Sequence, residues 1–210
     1  MARIDDYKKA VEIGKEALRK KNPKWTANLT GAGFGVDIEG REVITLNFLN
    51  KNIDITWPSL EFCFKEAGDE VPVQQEILLL HYLNGSTGMG VADEWIAYQE
   101  VPDGRFYLDA FLRRAKNPMV HTFGKQPELL INLAKETYGA RPLDQADFSV
   151  VVQAFPMVPV ALLLWEGDDE FEPEGNILFD RTISHILSAE DIAWLAGMII
   201  YPLIGMAMNR

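Results

Sequence analysis

The sequence predicts an α+β domain with a mixed or antiparallel sheet, several packed helices, an N-terminal β-meander and a buried C-terminal helix. Three observations carry that prediction. Residues 4–21 repeat apolar side chains at helical spacing, residues 33–58 fall into short β-rich runs, and residues 148–165 hold two further β-rich runs, the second continuously apolar. No internal repeat, low-complexity tract or linker divides the 210 residues. One domain spanning 1–210 is therefore expected, with helix and meander over 1–70 and the remaining core over 71–210.

In the first helix Tyr7, Val11 and Leu18 share a face, while Asp5 and Asp6 early and Arg19, Lys20 and Lys21 late suit the helix dipole. Asn22-Pro23 stops it. Through Lys24 the chain holds eight basic and four acidic residues, a net of +4 against a total of −11, so the remainder carries −15. Such a helix can meet anionic lipid or an acidic partner, or form a plain solvated surface. The runs GFGVDI, REVITLNF and NIDITW follow, separated by Glu39-Gly40 and Asn50-Lys51-Asn52, and read as a three-stranded meander. Gly31, Gly33 and Gly35 precede strands rather than a helix, so their spacing serves tight turning and not a dinucleotide.

Pro72 opens a helix over Val73–Asn84 that ends at Gly85. Ile77 to Leu83 is apolar on nearly every face, which predicts a buried helix with His81 inside it. The glycine-rich NGSTGMG loop comes next, then EWIAYQE, which alternates like a strand, and the turn Pro102-Asp103-Gly104. Helices are expected over 107–116 and 126–138. Phe148 to Ala154 and Val158 to Trp165 read as central strands, followed by an acidic loop and a short NILF strand. Ser188 with Asp191 forms a capping box for the last helix.

Composition excludes several classes of function. A net charge of −11 does not suit a nucleic-acid binder, which needs cationic surface to replace counterions on phosphates. The charged N-terminus lacks the apolar stretch of a secretion signal, so a cytoplasmic protein is expected. Cys63 is the single cysteine, which rules out an intramolecular disulfide and a self-contained iron–sulfur cluster. Ile192 to Met208 is the most membrane-like stretch, but it is shorter than the roughly 20 residues of a span and carries Pro202, so no membrane span is expected.

The densest polar feature is the segment from Glu166 to Asp180, with seven carboxylates and no basic residue before Arg181. Like charges at this density repel unless solvated or neutralised by a cation. An EF-hand phase beginning at Glu170 fails at its twelfth position, where Arg181 replaces the bidentate Glu. His81, His121 and His185 form no H-E-x-x-H or H-x-x-x-H pair, so any histidine site must be assembled by folding. His81 is the most informative, because a histidine in a buried helix needs a hydrogen-bond partner or a ligand to offset desolvation. The NGSTGMG loop lacks a Walker lysine and follows a helix C-terminus, where the dipole repels phosphate, yet its glycines allow backbone approach to a ligand. No nucleophile elbow is present, and Cys63 between two phenylalanines reads as inert. Trp95, Trp165 and Trp194 are either core or the lining of an aromatic pocket.

Taken together, the runs ILLLHYLNGSTG, EWIAYQEVPDGRFY, FPMVPVALLLWEGDDEFEPEGNILFD and SHILSAEDIAWLAG resemble the family known as domain of unknown function 3786, over roughly residues 70 to 200. That resemblance implies a setting mainly in anaerobic bacteria and archaea, and company with iron–sulfur or corrinoid proteins, since some relatives carry an added iron–sulfur domain. It implies no reaction. The family-like motifs coincide with His81, Tyr82, Glu94, Trp95, Trp165 to Glu170, Asp180 and His185.

The leading expectation is a ligand- or metal-cofactor-binding accessory protein of anaerobic metabolism. Its candidate ligand-binding residues are His81, Tyr82, Gly85, Gly88, Glu94, Trp95, Trp165, Asp168, Asp169, Glu170, Asp180 and His185, with His81, His185, Asp180 and Glu170 as metal ligands. The sequence names no cofactor, and the ligand can equally be a small organic molecule. A second reading is a hydrolase or transferase using Asp169, Glu170 and a histidine as acid and base. A third is a non-catalytic module whose acidic loop docks a basic partner.

Overall fold

Residues 4–210 are described by a computed structural model, and the fold is α+β with two antiparallel sheets. Contacts divide the chain into two compact units. One comprises the chain through Gly90 with Phe155–Met157 and His185–Leu187; the other comprises Val91–Ala154, Val158–Ser184 and Ser188–Arg210.

The first unit begins with α1 (Ile4–Arg19), whose buried stripe is Val11, Gly14 and Leu18, with Tyr7 half-buried on the same face. This stripe packs on α3 (Val73–Gly85). Gly14 sets how closely the helices approach, since a Cβ there would lie 3.1 Å from Leu80. Lys21 donates from Nζ to the carbonyl of Asn84 at 2.6 Å, placing a cation on the negative end of α3. Pro23 does more than stop α1. It opens α2 (Pro23–Thr30), a helix absent from the sequence expectation, with Asn22 as its N-cap accepting from Trp25 N–H and Gly31 as its left-handed cap.

The meander has four strands rather than three: β1 (Gly33–Val36), β2 (Glu42–Phe48), β3 (Lys51–Trp57) and β4 (Phe62–Phe64), in sequential order. Ile44, Leu46 and Phe48 of β2 and Ile53, Ile55 and Trp57 of β3 bury one face, as strict alternation requires. The β2–β3 turn lies one residue earlier than expected. Phe48 pairs with Lys51, and Leu49 and Asn50 take φ of 49° and 63°, the left-handed pair that suits the twist of a two-residue hairpin.

In the second unit the sheet order is β5 (Trp95–Ala97), β9 (Glu174–Asp180), β8 (Val158–Trp165), β7 (Phe148–Phe155) and β6 (Arg141–Pro142). β8 is central and buried at every residue but Trp165, which explains its unbroken apolar run. β5 is shorter than EWIAYQE suggested. Glu100 accepts from Ala97 N–H at 2.7 Å, and Tyr98–Glu100 closes as a 3₁₀ turn instead of extending the ladder.

The chain is helical without a break from Gly104 to Phe123, as α4 (Gly104–Phe111), a π turn (Leu112–Lys116) and α5 (Asn117–Phe123). The sequence expectation ended this helix at 116, two residues before Pro118, which has no N–H to donate to the preceding turn. The π turn absorbs the proline, and Asn117 N–H bonds to the carbonyl of Leu112, five residues back. After α6 (Pro127–Tyr138), α7 (Ala189–Met208) begins at the Ser188–Asp191 capping box and runs through Pro202 uninterrupted. Among the described residues it is the one helix long and apolar enough to cross a membrane by length and composition, and half of its most apolar stretch is buried. It packs on α4, α5 and α6, with Tyr138 donating to Ile199 O and Tyr98 to Ala189 O.

Candidate functional site

Five predicted site residues belong to the first unit. His81 is exposed, so the desolvation argument that singled it out does not hold: α3 buries Ile77 to Leu80, Tyr82 and Leu83 but turns His81 to solvent. His185 is exposed as well. The Tyr82 hydroxyl is committed to the fold, donating to Thr30 O at 2.7 Å and accepting from Met157 N–H at 3.2 Å. Burial pushes this phenol up to about 12. Gly85 is required by packing, since a Cβ would overlap the Ile186 carbonyl oxygen. Gly88 takes φ +79° with its would-be Cβ 2.8 Å from Leu29.

The other seven lie in the second unit. Asp180 is 1% exposed, and its Oδ1 accepts from Thr182 Oγ1 at 2.6 Å, Thr182 N–H at 3.0 Å and Ala92 N–H at 3.1 Å. Burial raises its carboxyl, but these hydrogen bonds outweigh burial and hold it below the ordinary carboxylate range. Asp180 thereby ties the segment before β5 to the end of β9. Glu94 pairs with Arg181 at 2.6 Å on open surface. Trp95 and Trp165 are each half-buried against the cluster of Val151, Ala161 and Leu163, but the register sets them at opposite ends of β9, Trp95 beside Asp180 and Trp165 beside Glu174.

Asp168 organises the acidic loop. Its Oδ1 accepts from Glu170 N–H and Phe171 N–H, both at 2.8 Å, which holds its carboxyl below the ordinary range. Asp169 and Glu170 are exposed. Glu174 to Asp180 is strand β9, so no EF-hand loop forms. Among the described residues no three His, Cys, Asp or Glu side chains gather as a metal-holding group. Burial and the nearby Glu61, Glu70 and Asp54 push the Cys63 thiol up, consistent with an inert cysteine.

The second unit also contains a groove of about 650 Å³ between α5 and the segment leading into β9. One wall presents Lys116, Asn117, His121 and Lys125; the other presents Glu172, Pro173, Glu174 and Gly175. An adjoining hollow shares Lys125, Glu172 and Pro173 and is lined further by Glu166, Gly167, Asp168 and Phe171. Gly124 and Gly175 let the acidic segment lie against α5, and Gly167 lets that segment fold back on itself. A Cβ at Gly175 would stand 2.8 Å from Val120 and from Leu163 O, one at Gly124 3.0 Å from Pro173, and one at Gly167 2.6 Å from Phe171 O. The walls are therefore positioned by backbone packing rather than by the long side chains they carry. Those side chains stay apart: Lys116, His121, Lys125, Glu172 and Glu174 form no ion pair with any described residue.

Of the predicted residues only Asp168 lines this groove system. In the sequence His121 belongs to no motif pair, Glu172 and Glu174 enter only as part of the acidic segment and its failed EF-hand phase, and Lys116 and Lys125 carry no signal of their own. One signal was available, because Asn117, His121 and Lys125 recur at four-residue spacing and make a polar stripe on one helical face. The expected helix ended at residue 116, so the stripe fell outside it.

Compared with known families, residues 30–201 match the model described as Domain of unknown function (DUF3786). The match begins some forty residues before the resembling motifs and takes in the meander. No curated protein and no solved structure matches the chain.

Proposed function

The chain belongs to the family of the domain of unknown function 3786, and from that premise we propose that it is an accessory protein that holds a small polar molecule in the groove between α5 and β9. The observation that carries this reading is the glycine-built apposition of two charged walls around about 650 Å³, a volume suited to a small ligand. Pre-formed sites of this kind lose little free energy in ordering on binding. The setting is anaerobic metabolism, with an iron–sulfur or corrinoid protein as the partner that supplies or receives the ligand, as the family resemblance implies.

The test is native mass spectrometry and metabolite extraction on untagged protein purified anaerobically, paired with thermal shift. Wild-type protein retains a molecule of defined mass that His121→Ala and Lys125→Glu lose while keeping their circular dichroism spectrum. Wild-type and variant proteins with identical spectra and no retained mass overturn the reading.

A second reading has its own observation. Phe171 is 71% exposed between the exposed Glu170 and Glu172, an aromatic anchor within a carboxylate loop that suits a basic partner surface. Reversing Asp169 and Glu170 to lysine abolishes partner capture if the loop docks, and leaves it unchanged if the groove alone is functional.

A further inference from the structure

Resting on the groove reading, we propose that its ligand is zwitterionic, a molecule carrying a carboxylate-like anion and an ammonium-like cation at opposite ends. Lys116 and Lys125 flank His121 along the α5 wall, and Glu172 and Glu174 stand on the facing wall. Opposite charges placed across a cleft ordinarily close on one another, yet these side chains form no ion pair with any described residue. Their backbones are positioned by close packing at Gly124, just after α5, and at Gly175 of β9, rather than by the charges themselves.

This arrangement discriminates by charge. A simple anion drawn to Lys116 and Lys125 meets repulsion from Glu172 and Glu174, and a simple cation meets the converse, so each loses on one wall what it gains on the other. A neutral molecule leaves both walls without partners. Only a ligand with both charges satisfies the two walls together, and the partial enclosure of the groove strengthens each contact relative to open solvent.

The probes are a series of straight-chain ω-amino carboxylates with three to seven methylenes, each compared with the alkyl carboxylate and alkylammonium of equal length by isothermal titration calorimetry. One chain length binds at least about tenfold tighter than either of its singly charged analogues, a difference of about 1.4 kcal/mol. Lys125→Gln and Glu172→Gln each bring that preference within about twofold, and the charge-swapped pair Lys125→Glu with Glu172→Lys restores it. Equal binding of zwitterion and singly charged analogue, with both lost in the variants, overturns the zwitterion inference and leaves the groove reading in place. Absence of binding by every probe, with no co-purifying molecule, overturns both.

Discussion

Tyr82 and Phe155 stack face to face, with ring centroids 4.2 Å apart and planes 5° from parallel. Phe155 also meets Phe48 at 4.7 Å, and the Tyr82 hydroxyl bridges Thr30 O and Met157 N–H. A residue selected from the sequence as a ligand is thus a joint of the first unit, connecting α2, α3, the sheet and the turn at Phe155–Met157.

Tyr82→Phe keeps the stack and removes the hydroxyl, leaving the Thr30 carbonyl and the Met157 amide without their partner. The expected loss is about 1–3 kcal/mol in denaturant unfolding, with a lower Tm and unchanged ligand retention.

The same hydroxyl gives an alkaline limit. Its folded pKa, about 12, exceeds the roughly 10 of an unfolded tyrosine, so its contribution is fully present below pH 10 and is lost as pH rises through 12. Stability measured between pH 9 and 12 should fall, and the fall should be shallower in Tyr82→Phe. The buried Tyr98, also near 12, supplies part of the slope that remains.

Asp180 sets the acid limit with the opposite sign. Its folded carboxyl lies below the ordinary value, so its stabilisation is present above about pH 4 and is lost as pH falls further. Asp180→Ala orphans Thr182 N–H, Thr182 Oγ1 and Ala92 N–H and should cost about 2–4 kcal/mol at neutral pH, with a reduced slope on the acid side. An Asp180→Ala protein as stable as wild type at pH 7 would refute this role.

Two glycine-to-alanine changes in helices should differ in sign. Gly205 in α7 has open space at its Cβ position, so Gly205→Ala is expected to stabilise by about 0.5–1 kcal/mol. Gly85→Ala drives a methyl into Ile186 O and should cost about 1–3 kcal/mol despite the better helix propensity. Urea midpoints of the two variants check both.

The first unit is assembled from three chain segments, two of them only three residues long and inserted among segments of the second. A single-domain reading of 1–210 therefore expects one cooperative thermal transition with equal calorimetric and van't Hoff enthalpies. Two resolved transitions would assign the units separate stabilities.

Elements whose signal is local were legible in the sequence. The stripe Tyr7, Val11 and Leu18, the alternation of β2 and β3, the apolar run of β8 and the Ser188–Asp191 box each depend on neighbours within a few residues. Departures occurred where a longer-range contact or a local bond overrode propensity. The Glu100 carboxylate took the Ala97 amide and shortened β5, and a π turn carried the helix through Pro118.

The candidate site shows the same division. Sequence alone determined the α+β class, the meander, the acidic segment from Glu166 and the family motifs, because composition and periodicity are properties of the chain before it folds. Only tertiary structure decided that His81 faces solvent, that the Tyr82 hydroxyl and Oδ1 of Asp180 are spent on hydrogen bonds of the fold, and that His121 and the lysines beside it face Glu172 and Glu174. The exposure of a side chain on an apolar helix, and the meeting of residues fifty positions apart across a glycine contact, depend on which elements pack together, and no periodicity within a single element records that choice.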